Sequence, residues 1–120
     1  MSDEQLKFLL ENLMDNIDGV RSAALVSDTG LIVQAVLEEG ISEIKLAAMT
    51  ATILSVAERV LKELKSGNLD VCVLQGDAGN FVVMEAGNEL ILAVCLEYNA
   101  RMDTCFTEMR KISEQIKTIC

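Results

Sequence analysis

Asp28-Thr29-Gly30 is the stretch of this chain best equipped for covalent chemistry. A carboxylate in that triplet, preceded by apolar residues, can share one proton with its counterpart from a second copy, as in the dimeric aspartic proteases. Leu31 and Ile32 follow where those enzymes carry a polar continuation, and long helical stretches do not suit their nearly all-β body. A hairpin turn is the reading adopted. Gly76-Asp77-Ala78-Gly79 has two glycines but no following Lys and no following helix, so it too is a turn rather than a phosphate cradle. The chain has no histidine, which removes the commonest general base. Cys72, Cys95, Cys105 and Cys120 are too widely spaced for a metal knuckle. They are expected as reduced thiols, the first three on apolar faces and Cys120 exposed. No catalytic, cofactor-binding or metal-binding residue is assigned.

What remains is contact chemistry, and it concentrates in the middle of the chain. Leu46 to Ala57 is an uncharged run of twelve residues in a sequence that is 24% charged. At 3.6 residues per turn, Leu46, Met49, Ile53, Ala57, Val60 and Leu64 share one face, predicted to bury against the domain's own core. On the opposite face stand Ala48, Ala51, Thr52 and Ser55, where a surface helix ordinarily shows Lys and Glu. A small, uncharged outer face admits another backbone closely, so these four are the predicted partner contacts. Thr52 and Ser55 extend that surface without helping helix propensity. Lys45, Arg59, Lys62 and Lys65 add positive charge to the same helix. Solvated helix surface is the plain reading of these cations, and contact with an acidic or phosphate-bearing partner, above all through Arg59 and Lys62, is the functional one.

The elements that hold this helix read clearly. Leu6, Leu9, Leu10, Leu13, Met14 and Ile17 recur at helical spacing from Asp3 to about Ile17, with Ser2 or Asp3 as cap and Asp18-Gly19 as stop. Ala23 to Ser27 and Leu31 to Val36 form a hairpin around Asp28-Thr29-Gly30. The central helix runs from about Ser42, with no capping box between Ser42 and Lys45, to Lys65, and Gly67 supplies the left-handed residue at its end. Strands at Asp70 to Gln75, Asn80 to Ala86 and Glu89 to Glu97 follow, with links so short that neighbours must be antiparallel. A third helix spans Arg101 to Ile119, turning Met102, Cys105, Phe106, Met109, Ile112, Ile116 and Ile119 inward. Along the last two strands both alternating sets are apolar, so the sheet must be covered on both faces. The predicted architecture is a single α/β (α+β) domain over residues 1–120, a five-stranded antiparallel sheet between helices.

Composition narrows the class of partner. A formal charge of −9 disfavours nucleic acid and anionic membrane surfaces, and the longest uncharged run falls short of the roughly 20 residues a membrane span requires. Met1-Ser2-Asp3-Glu4 has no basic region leading into an apolar stretch, so no secretory signal is read and a cytoplasmic location is expected.

Three stretches resemble the roadblock/dynein light chain domain family, in particular its prokaryotic single-domain branch. They are Val20 to Val33 with Asp-x-Gly at its turn, the Ala- and Thr-rich helix around Ala47 to Ala57, and the meander through Glu97-Tyr98-Asn99-Ala100-Arg101. The resemblance implies sheet order 2-1-5-4-3, the central helix on one face and the terminal helices on the other. It also implies a homodimer that sets two central helices side by side and extends the sheet through the third strand. The pairing positions would then be Ala48, Ala51, Thr52 and Ser55, with Val71 and Val73 at the strand edge. The function implied is a noncatalytic platform that binds a Ras-like small GTPase and regulates or tethers it. A motor-complex adaptor and a small-molecule sensor of PAS or profilin-like layout are the alternatives, the sensor needing an internal pocket of about 300 Å³ or more.

Overall fold

The computed structural model describes residues 2–119. The expectations for the Ile119 side chain and for Cys120 fall outside the described residues. The chain forms α1 (Asp3–Asn16), β1 (Val20–Ser27), β2 (Ile32–Val36), α2 (Glu43–Glu63), β3 (Cys72–Gln75), β4 (Gly79–Gly87), β5 (Leu90–Glu97) and α3 (Met102–Ile119). The strands make one antiparallel sheet in the order β2-β1-β5-β4-β3, as the resemblance implies.

Local chemistry explains the helix ends. Ser2 caps α1 reciprocally: its Oγ accepts from Gln5 N at 3.2 Å while its own N donates to Gln5 Oε1 at 3.0 Å. Ser42 caps α2 without such a box, its Oγ accepting from Lys45 N at 3.2 Å. The left-handed residue that closes α2 is Lys65 (φ +55°) rather than Gly67, with Ser66 N donating back to Leu61 O at 2.8 Å in a Schellman turn.

Alternation along the strands sorts the core into two layers. Leu25, Leu92, Val94, Leu96, Val82 and Met84 face α1 and α3, where Leu10, Leu13, Met109 and Ile116 are fully enclosed. Ala24, Val26, Val83, Ile91 and Ala93 face α2. Burying one such aliphatic side chain stabilises by about 1.5–3 kcal/mol, so the α1/α3 layer carries most of the hydrophobic stabilisation.

The α2 side departs from the sequence reading. Of the 21 residues of α2 only Ala47, Thr50 and Leu54 are buried. The stripe assigned to the domain's own core is instead open: Met49 is 60% exposed, Val60 49% and Leu64 66%, with Leu46, Ile53 and Ala57 half-buried. The helix meets Val26, Val83 and Ile91 of the sheet through Ala47, Thr50 and Leu54, and that seating turns the Leu46–Leu64 stripe to one side.

Candidate partner-binding faces of the central helix

Two flanks of α2 lie open, and they differ in chemistry. On one side, the β1–β2 turn reaches over to the helix. A Cβ placed on Gly30 would lie 3.5 Å from the Cα of Ala48 and 3.7 Å from the Cβ of Ala51. The turn is held by Gly30 N donating to Ser27 O at 2.9 Å and Leu31 N donating to Ser27 Oγ at 3.1 Å. Between turn and helix runs a surface groove of about 370 Å³, lined by Asp28, Thr29, Ala48, Thr52, Ser55 and Arg59 among others. Thr52 donates its hydroxyl to Ala48 O at 2.8 Å, so it presents its methyl group without an unpaired donor.

Ala48, Ala51, Thr52 and Ser55 are therefore brought together, with Ala51 half-buried beneath Gly30 and the other three exposed. Arg59 lies at the end of the same groove. Lys62 is exposed one turn further along α2. Among the described residues, the ion pairs use Arg21, Arg101, Arg110, Lys111 and Lys117, and none uses Lys45, Arg59, Lys62 or Lys65. The cations of α2 are thus free for a partner. Asp28, the candidate acid, sits exposed at the turn, its backbone N donating to Glu89 O at 3.0 Å.

The other flank is apolar. Leu46 walls a cavity together with Phe81 and Cys95, which places this side of α2 toward β4 and β5. Helical spacing puts Met49, Ile53, Val60 and Leu64 in line with Leu46 along that side. Leu74 extends the surface on the neighbouring strand: it pairs with Phe81 and is 45% exposed. β3 itself is an edge strand, paired only with β4. Val71 and Val73 pack half-buried toward the α1/α3 layer, so their side chains point away from α2 and only the strand backbone is free for extension. The sequence reading did not single out Met49, Val60, Leu64 and Leu74 as exposed apolar surface. Their signal was present, because the apolar positions of α2 wrap a wider arc than one core contact occupies.

No group of three potential metal-ligating side chains occurs among the described residues. Cys105 is fully buried and its thiol is pushed up to about 11 by desolvation. Cys72 and Cys95 are half-buried rather than enclosed, and burial raises both. The cavity behind Leu46 measures about 240 Å³, below what the sensor alternative needs, and its one hydroxyl, Ser22 Oγ, already accepts from Glu38 N at 3.0 Å. No described helix is long and apolar enough to cross a membrane.

This architecture coincides with a recognised domain, since the Roadblock/LC7 domain profile matches residues 6–96. The chain belongs to the Roadblock/LC7 domain family. The roadblock match ends before α3, but similarity at the level of whole chains includes it. Uncharacterized protein MJ1340 of Methanocaldococcus jannaschii is 25% identical over 113 residues, 94% of this chain and 96% of its own. The crystal structure of a Roadblock/LC7 domain from Streptomyces avermitilis is 21% identical and superimposes with a TM-score of 0.86, covering 93% of this chain and 94% of that one. MglB of Myxococcus xanthus reaches a TM-score of 0.89 at 14% identity, covering 98% of this roadblock chain and 89% of its own. An MglB has also been solved with a tetrameric arrangement.

Proposed function

We propose that this roadblock domain is a noncatalytic homodimeric platform that binds a Ras-like small GTPase in the cytoplasm and regulates its nucleotide state or its location. The observation that carries the reading is the pair of open flanks on α2, one apolar and one small, uncharged and edged with unpaired cations. The apolar flank with the free β3 edge takes a second copy. A standard interface buries on the order of 800 Å² per partner, which one long helix and a strand edge can supply. The groove beside the β1–β2 turn then stays open for the GTPase, with Arg59 and Lys62 complementing acidic surface or phosphate. This reassigns the pairing role from Ala48, Ala51, Thr52 and Ser55 to Met49, Ile53, Val60 and Leu64. Family membership supports the GTPase. Retrieval from native cytoplasm with nucleotide-loaded and nucleotide-free samples tests it. The expected result is a P-loop GTPase whose retention depends on nucleotide and is lost in Arg59→Glu, with the dimer intact. Retention indifferent to nucleotide and to Arg59→Glu would overturn it.

A further inference from the structure

The side of the sheet opposite α2 also leaves apolar surface uncovered. There α1 buries Leu6, Leu10 and Leu13 against the core, and the same helix holds Phe8 outward, 67% exposed. At 3.6 residues per turn Glu4, Phe8, Glu11 and Asp15 share one ridge, within about 60° of each other around the axis. A single exposed apolar residue is ordinary on a protein surface, but Phe8 does not stand alone. It borders a hollow of about 360 Å³ together with Gln5 and Leu9, and Leu9 borders a second hollow of about 330 Å³ with Gln115 and Thr118 of α3. A mostly apolar trough therefore runs from the crest of α1 across its seam with α3.

Charge selects the occupant. Among the described residues, Glu4, Glu11 and Asp15 take part in no ion pair. Lys7 is the one cation of α1, and helical spacing puts it on the side of the ridge away from Leu9. On the α3 bank, Lys111 and Lys117 are held by Glu108 and Glu114 at 3.2 and 3.4 Å. The trough is thus edged by carboxylates to which no cation is committed. A second copy presenting this same ridge would set carboxylate against carboxylate, and an anionic membrane would be repelled. A helix that carries Lys or Arg beside large aliphatic or aromatic residues satisfies both the trough and its edge.

We propose that the α1–α3 seam around Phe8 and Leu9 is a docking site for a basic amphipathic helix of a partner protein, whose apolar side chains enter the two hollows while its cations meet Glu4, Glu11 and Asp15. The seam lies across the sheet from both flanks of α2, so its occupant does not compete with partners held there.

Fluorescence anisotropy with a synthetic amphipathic helix of leucine and lysine tests the site on the full chain. Saturable binding is expected, and none for the same peptide with glutamate in place of lysine. Phe8→Ser, at an exposed position, should keep the far-UV circular dichroism and raise Kd about tenfold. Glu11→Lys should raise Kd about three- to tenfold at low salt, whereas Glu63→Lys, the same change of net charge on α2, should move it less than about twofold. Leu64→Ser, at an equally exposed apolar residue of α2, should leave it unchanged. No saturable binding of the lysine peptide, equal weakening by Glu63→Lys and Glu11→Lys, or weakening by Leu64→Ser but not by Phe8→Ser would each overturn the proposal. So would growth of the unliganded chain beyond a dimer, or retention on phosphatidylserine vesicles, that Phe8→Ser abolishes, since the seam would then belong to a second copy or to a lipid surface.

Discussion

Gly30 and Ala48 meet across the β1–β2 turn: the Cα of Ala48 lies 3.5 Å from the point a Gly30 Cβ would occupy, and Gly30 holds a φ of +89°. That contact joins the hairpin to α2 and forms one wall of the groove. Gly30→Ala is expected to lose about 1–2 kcal/mol from backbone strain alone. Gly30→Leu should lose more, since its branch would reach the Ala48 backbone. Urea unfolding of both variants checks the order.

The two flanks of α2 should respond oppositely to charge. Val60→Glu is expected to convert the dimer to monomer without unfolding it, because Val60 is half-exposed in the single chain. Ser55→Glu should leave the dimer intact and weaken GTPase retention. Light scattering and a binding assay on the same two proteins separate the roles.

Thr50 is fully buried and its hydroxyl has no hydrogen-bond partner among the described residues. An unpaired buried hydroxyl costs about 1–3 kcal/mol, and valine has nearly the same shape. Thr50→Val should therefore stabilise the fold by about 1 kcal/mol, read as a higher denaturation midpoint at unchanged slope. Leu54→Ala, on the same seam, should destabilise by about 2–5 kcal/mol.

Cys105 makes stability fall in alkali. Its thiol is raised from 9.0 to about 11 by burial. Below pH 9 the thiol is protonated in both states and its contribution is whole. As pH rises through 9 toward 11 the unfolded chain loses the proton first, so stability drops, by about 2–3 kcal/mol once both states are ionised. Cys105→Ala should start less stable and show a flatter profile over that window. The thiol should also stay inert to thiol reagents until the protein unfolds.

Much of the architecture was legible from residue order. The alternation of Val82, Met84 and Ala86 against Phe81 and Val83 assigned the two sheet faces correctly, because a strand's period of two leaves no freedom once both sets are apolar. Leu6, Leu10 and Leu13 placed α1 on its core face for the analogous reason. The small differences at element ends came from backbone hydrogen bonding, as at Lys65, where the closing turn formed without glycine.

The candidate site was half legible. The sequence by itself determined that α2 carries more apolar and uncharged surface than one core contact needs. Only the tertiary structure decided which stripe stays open. Periodicity defines a face but not its direction, and that direction is fixed by packing against Val26, Val83 and Ile91 beneath the helix. Those residues seat α2 on Ala47, Thr50 and Leu54, leaving Met49, Val60 and Leu64 turned outward.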